Sequence, residues 1–394
     1  MQYESKRALP LADDQSAAHS QRVRLHIQRK IDAAGGQISF AEFMHEAMYA
    51  PGLGYYAAGS TKFGPDGDFV TAPEISPVFG RVLARQMAEV LSAVSGGEVL
   101  EFGAGSGRLA ADCLAALEAL GALPQTYNIL EVSADLAARQ RDCLQAAVPH
   151  LLERVCWLSS PPPRFRGVVV ANEVLDALPF ECFARSGSQT LQRCVAVKNS
   201  ELVWVDRPAG AQLAIAVSDI EADIGASFAD GYRSEISLAA RHWIVDVAAM
   251  LTEGAVFLFD YGLPRRELYA SDRSDGWLRC HFRHHAHNDP LILPGIQDLT
   301  TWVDFTAIAA AAVDNGLELL GFQTQSQFLM GGGLQEEMRD FATLPVPDQV
   351  LLSGQVKMLT LPGEMGENFK FIALGCGDID APTAFDFADR TQSL

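Results

Sequence analysis

Apolar residues recur every fourth position at Val23, Ile27 and Ile31, the stripe of an amphipathic helix over 20–34 that Gly35-Gly36 closes. Further helices are predicted over 40–48 and 78–92. Beyond them the period changes. Apolar runs near 99–100, 127–132, 154–158, 168–171, 255–262, 317–323 and 369–374 read as buried strands. Helical stretches at 109–120, 134–147, 237–251 and 304–313 are interleaved with them. This alternation predicts an α/β fold, a doubly wound sheet that takes its ligands at the carboxyl ends of its strands. Residues 180–206 read instead as an inserted hairpin, and 264–303 are irregular, polar and too long for an ordinary connection. The expected division is a loose tail over 1–19 and a helical and lid region over 20–92. A ligand-binding domain follows over 93–380, with insertions at about 180–235 and 264–303, and then a tail over 381–394.

The densest chemical signal lies where the first strand ends, at Val99-Leu100-Glu101-Phe102-Gly103-Ala104-Gly105-Ser106-Gly107-Arg108. Glycines at alternate positions permit positive φ and let a ligand approach the backbone. The helix that follows turns free N–H groups and a partial positive charge toward that ligand. A dinucleotide fingerprint needs glycine where Arg108 stands, which argues against NAD or FAD. The acid two residues before the Gly-x-Gly-x-Gly turn resembles motif I of class I S-adenosylmethionine methyltransferases. Glu131 ends the next strand 30 residues after Glu101. There it can accept both hydroxyls of a ribose, or it can serve the helix that starts near Ser133.

Composition narrows the picture further. The formal net charge of −19 opposes non-specific binding to nucleic acid, and no Lys/Arg stripe with interleaved aromatics is present. Seven scattered cysteines form no Cys-x-x-Cys pair, hence neither a zinc site nor a disulfide framework. No apolar run approaches the roughly 18 residues a membrane span needs. Met1 to Ser20 is polar, acidic at Asp13-Asp14, and unlike an export or transit signal. A cytoplasmic protein is expected.

Several segments together resemble the MidA-type methyltransferases, relatives of a mitochondrial complex I assembly factor. They are Phe43-Met44-His45-Glu46, Pro51-Gly52-Leu53-Gly54-Tyr55-Tyr56, GDFVTAPEISP from Gly67 to Pro77, and Glu101 to Gly107. Leu130-Glu131-Val132-Ser133, ANEVLDALP from Ala171 to Pro179, Phe259-Asp260-Tyr261-Gly262 and Val303-Asp304-Phe305 complete the set. The resemblance spans roughly residues 22–375. It implies a class I methyltransferase fold with S-adenosyl-L-methionine as cofactor. It also implies methylation of an arginine on a protein substrate, with a respiratory complex I subunit as the partner.

The resemblance and the residue types together nominate Glu101, Phe102, Gly103, Ala104, Gly105, Gly107, Glu131, Val132 and Asn172 as cofactor contacts. Asp68, Thr71, Pro73 and Glu74 are nominated to close over the cofactor from the preceding loop. Transfer from a sulfonium needs positioning and electrostatics more than covalent help. A guanidinium is always charged and a poor nucleophile, so a carboxylate that pairs with it can orient it and take up the released proton. Glu173 is the first candidate and Asp176 the second. At i,i+3 they share a face if a helix begins there, with Asn172 beside the methyl group or the acceptor. The competing reading makes Asn172 a helix cap and the acids its dipole partners. Asn172-Glu173-Val174-Leu175 lacks the Pro-Pro-aromatic string of adenine-methylating enzymes, which disfavours a nucleic-acid substrate. His281 to His287 holds four of the nine histidines without a second ligand cluster, so no metal is assigned. Two other functions stay open here, an assembly chaperone that binds the cofactor without turnover and a small-molecule methyltransferase.

Overall fold

The computed structural model describes residues 9–58 and 70–394. The chain divides into two compact units, each built from three stretches. One comprises residues 1–69, 176–240 and 265–302; the other comprises 70–175, 241–264 and 303–394.

The second unit is the α/β one. Its strands are β1 (Glu98–Phe102), β2 (Tyr127–Leu130), β3 (Val155–Leu158), β4 (Phe165–Asn172), β5 (Leu251–Leu263), β6 (Val303–Asp304), β7 (Glu318–Thr324) and β8 (Phe369–Cys376). They lie in the order β7-β8-β5-β4-β1-β2-β3, and β6 pairs with the end of β5. β3, β2, β1, β4 and β5 are parallel, whereas β8 runs antiparallel between β5 and β7. Strand order reverses between β1 and β4, where a sheet of this kind opens a crevice at its carboxyl edge.

The central strands read as continuous apolar runs because both faces are covered. Val168, Val169, Val256, Phe257 and Leu258 are fully buried. Phe259 stacks on Phe371 with ring centroids 4.5 Å apart and meets Phe328 edge-on at 4.8 Å. Burial of each such side chain contributes about 1.5–3 kcal/mol. Helices α1 (Pro77–Ala93), α2 (Arg108–Ala119) and α3 (Ala134–Ala147) supply Phe79, Leu83, Leu114 and Leu144 to the same core. Ser76 caps α1, with Pro77 at the first helical position where its missing N–H costs nothing.

The first unit is mainly antiparallel. Gln37–Ser39, Gln189–Lys198, Glu181–Ser186 and Arg233–Ile236 are neighbours in that order, and Glu201–Pro208 pairs with Gln189–Lys198. Arg279–Phe282 lies between His285–His287 and Asp298–Thr300 in a three-stranded sheet. The Val23, Ile27, Ile31 stripe packs into a core with Phe40, Phe43 and Phe180, and Trp204 stacks on Phe40 at 5.0 Å.

Both expected tails are corrected. The first helix begins at Asp14, inside the stretch expected to be a loose tail, because Asp13 caps it and Asp14 lies in its first turn. Asp13 accepts the Ser16 N–H at 2.9 Å, and that hydrogen bond, first of several, holds its carboxyl down to about 2. At the other end, Ala384 is fully buried and donates its N–H to Gln86 Oε1 at 2.9 Å. The Arg390 N–H reaches Phe322 O at 2.6 Å. Helices at Ala211–Ile224 and Val346–Thr360 were not expected, the second because its apolar residues show no helical stripe and only Leu359 is buried.

Candidate cofactor and acceptor site

β1 ends at Phe102, which is buried edge-on against Trp243 with centroids 4.9 Å apart. The backbone then turns through Gly103, Gly105 and Gly107 at φ of +65°, +52° and +86°. A Cβ on Gly107 would stand 3.0 Å from the Gln140 Cα, and one on Gly103 would stand 3.3 Å from Val174 Cγ2. Any other residue would strain the turn, and at Gly107 it would also press on α3. Gly103 stays exposed, Ala104 is buried, and Gly107 leads into α2. Where α2 opens, the Gly107 N–H donates to Ala104 O at 2.8 Å and the Arg108 N–H donates to Ser106 Oγ at 3.2 Å.

Glu101 lies beneath this turn, only 2% exposed. Tyr127 donates its hydroxyl to Glu101 Oε2 at 2.7 Å. Burial pushes the Glu101 carboxyl up to about 7, with the Tyr127 hydrogen bond acting against that rise.

Glu131 stands just past β2. Its Oε1 accepts the Ser133 N–H at 2.8 Å and its Oε2 accepts from Gln140 Nε2 at 2.9 Å. The cap of α3 is Ser133, whose hydroxyl accepts the Leu136 N–H. Glu131 itself is partly exposed, and Val132 beside it is 81% exposed. An exposed apolar side chain next to a carboxylate suits a ligand with a flat base on a ribose.

The segment before α1 reaches the turn with a hydrogen bond. The Ser106 hydroxyl donates to Glu74 Oε1, within the short helix Ala72–Ile75. Pro73 is buried in that helix, and Thr71 precedes it with no side-chain capping bond. Of the four residues expected to close over the cofactor, Asp68 lies outside the described residues.

The acceptor-side residues depart from expectation. No helix begins at Glu173, so Glu173 and Asp176 share no helical face. Glu173 adopts a left-handed φ of +54°, and its N–H donates to Phe259 O at 2.8 Å. The Leu175 N–H donates to Asp260 Oδ2 at 2.9 Å, and the Tyr261 N–H donates to Oδ1 at 2.9 Å. These bonds to the end of β5 outcompete the helical alternative. Asn172 closes β4 and donates from Nδ2 to Glu173 Oε1 at 3.3 Å. Asp176, 5% exposed, belongs to the first unit, where its carbonyl accepts the Thr301 N–H at 3.1 Å.

His281 is held down to about 4, chiefly by burial, and lies on a strand paired with His285–His287. Among the described residues, no three His, Cys, Asp or Glu side chains are grouped to hold a metal ion. Among those residues, too, no helix is long and apolar enough to cross a membrane.

The sheet order, the reversed last strand and the glycine turn at the end of the first strand define a class I methyltransferase. Residues 82–323 match the family described as "Putative S-adenosyl-L-methionine-dependent methyltransferase", and the chain belongs to it. A solved structure from Burkholderia thailandensis, bound to S-adenosyl-homocysteine, is 41% identical with a TM-score of 0.92. That match covers 98% of this chain and 100% of the other. The protein named "Protein arginine methyltransferase NDUFAF7, mitochondrial" of Danio rerio is 29% identical over 91% of this chain and 88% of its own length. The same-named protein of Rattus norvegicus is 30% identical over 89% of this chain and 83% of its own length. This chain is an S-adenosyl-L-methionine-dependent methyltransferase. The relatives' names overturn the cytoplasmic expectation, since both carry a mitochondrial designation and a polar N-terminal stretch does not decide the compartment.

Gln140, Trp157, Asp260 and Ser106 were not singled out from the sequence. Asp260 and Ser106 each had a signal, a place in a family-like string, and nothing there indicated that the Asp260 carboxylate would hold the chain at Leu175.

Proposed function

We propose that this methyltransferase modifies an arginine side chain of a protein substrate, and that the substrate is a respiratory complex I subunit. The observation that carries the reading is the carboxylate of Glu173, set at the carboxyl end of β4 by a main-chain bond to Phe259. The names of the animal relatives support arginine as the acceptor, and the MidA-type strings support the complex I partner.

The glycine turn and Glu131 fit the cofactor. The turn runs at positive φ through Gly103, Gly105 and Gly107, as a close backbone approach to a ligand needs, and Glu131 has a carboxylate at the neighbouring strand end for ribose hydroxyls. The bound cofactor supplies an electrophilic methyl group on a sulfonium. Glu173 would pair with the guanidinium and draw its positive charge away from the attacking nitrogen. As that nitrogen takes the methyl it must lose a proton, and Glu173 is the base positioned to receive it. Asn172, tied to Glu173, would keep the carboxylate from swinging away. Asp176, buried in the first unit, is a weaker candidate for direct contact with the acceptor.

The test is incubation with isotopically labelled S-adenosyl-L-methionine and a respiratory-membrane extract, followed by mass spectrometry of peptides. Label on arginine of a complex I subunit supports the reading. Label only in the low-mass fraction, or none despite cofactor binding, overturns it.

A further inference from the structure

The carboxamide of Gln140 occupies a place that neither the glycine turn nor the strand-end acid can fill. Gln140 is fully buried on α3. Its Nε2 donates to Gly105 O at 3.1 Å and to Glu131 Oε2 at 2.9 Å. Its Oε1 accepts from Trp157 Nε1, on β3, at 3.0 Å. The Arg141 guanidinium lies over the Trp157 ring, 4.3 Å from its centroid.

The orientation of the amide follows from donor and acceptor counting. An indole N–H can only donate, so it fixes the carboxamide oxygen toward Trp157. Both N–H groups then point the other way, one at a backbone carbonyl and one at a carboxylate. Those two acceptors repel each other unless a donor stands between them. A hydroxyl or a carboxylate at position 140 cannot supply two donors at once. The Gly107 backbone also lies close to α3, with an added Cβ only 3.0 Å from the Gln140 Cα.

We infer that Gln140 is a positioning residue for the cofactor: it fixes the glycine turn and Glu131 at one spacing, with Trp157 setting the direction of its amide. The inference rests on the cofactor site assigned above to the turn and Glu131. It predicts that the two halves of the site lose their registry when the amide is reversed or replaced, although the fold persists.

The experiment is calorimetric titration of the full-length protein with S-adenosyl-homocysteine, alongside thermal unfolding of every variant. Gln140→Glu places a carboxylate against Glu131, and the dissociation constant should rise at least about tenfold at pH 8 relative to wild type. At pH 5.5 the new carboxyl and Glu131 can share a proton, so that ratio should shrink. A merely structural role predicts no such pH dependence. Trp157→Phe leaves the amide in place but free to rotate, and should weaken binding about threefold to fivefold. It also keeps the inference testable if Gln140→Glu fails to fold. Glu131→Ala separates the two levels of the argument. If it weakens binding while Gln140→Glu and Trp157→Phe bind within twofold of wild type, the role of Gln140 is refuted and the site stands. If Glu131→Ala itself binds normally, the cofactor site is wrong and the inference falls with it.

Discussion

Tyr127 donates its hydroxyl to the buried carboxylate of Glu101 at 2.7 Å, across the two parallel strands that carry the glycine turn. The folded state holds the Glu101 proton up to about pH 7, against an ordinary value of 4.5. Between those values the folded protein binds more protons than the unfolded chain, so the contribution of Glu101 to stability falls as pH rises and is lowest above 7. Glu101→Gln removes that dependence. Its stability relative to wild type should climb from pH 5 to pH 8 by up to about 3 kcal/mol. Urea unfolding at four pH values checks this, and a constant offset between the two proteins would contradict it.

Gly107→Ala combines a left-handed backbone with a Cβ 3.0 Å from the Gln140 Cα. Gly121→Ala is the control, since its φ is +68° but nothing lies within 4 Å of an added Cβ. The control should cost about 1–2 kcal/mol from backbone strain alone. Gly107→Ala should cost more and should also weaken S-adenosyl-homocysteine binding. Unfolding and titration of both variants give the comparison.

The left-handed conformation of Glu173 separates its backbone from its carboxylate. Glu173→Ala and Glu173→Gly should both abolish methyl transfer, while S-adenosyl-homocysteine affinity changes by less than about twofold. Glu173→Gly should be the more stable of the two by about 1 kcal/mol, because glycine tolerates φ of +54° and alanine does not. Equal stability would mean that the loop relaxes around the substitution.

Asp260 is 1% exposed and accepts the N–H groups of both Leu175 and Tyr261. Asp260→Ala removes the acceptor of the buried Leu175 N–H, at about 1–3 kcal/mol. Transfer should fall with Glu173 displaced, and cofactor affinity should hold because Asp260 bonds the main chain at Leu175 and Tyr261. Loss of both together would show that the end of β5 also supports the cofactor side.

Much of this fold was legible because parallel strands covered on both faces leave unbroken apolar runs such as Val168-Val169-Val170 and Phe257-Leu258-Phe259. The glycine turn was legible for a similar reason, since alternate glycines before a helix have few other uses. The loop at Asn172 to Pro179 was not. Its acids at i,i+3 look helical, and bonds to the distant Phe259 carbonyl and Asp260 carboxylate decide otherwise. Gln140 was invisible for the same reason, because an amide in a helix has no pattern until its three partners from elsewhere in the chain surround it. The acids at 13–14 and the polar stretch after 381 were misread because a cap and a packed turn use the same residues as a solvated end.

β8 is the last strand in the chain, yet it lies inside the sheet, with β5 on one side and β7 on the other. During synthesis, the ribosome must therefore deliver residue 376 before the row of hydrogen-bonding groups along β5 is covered. Until then a nascent chain carries an open apolar edge beside Phe257 and Phe259, a template for pairing with its neighbours. A premature stop before Phe369 should therefore yield an aggregating product rather than a smaller enzyme.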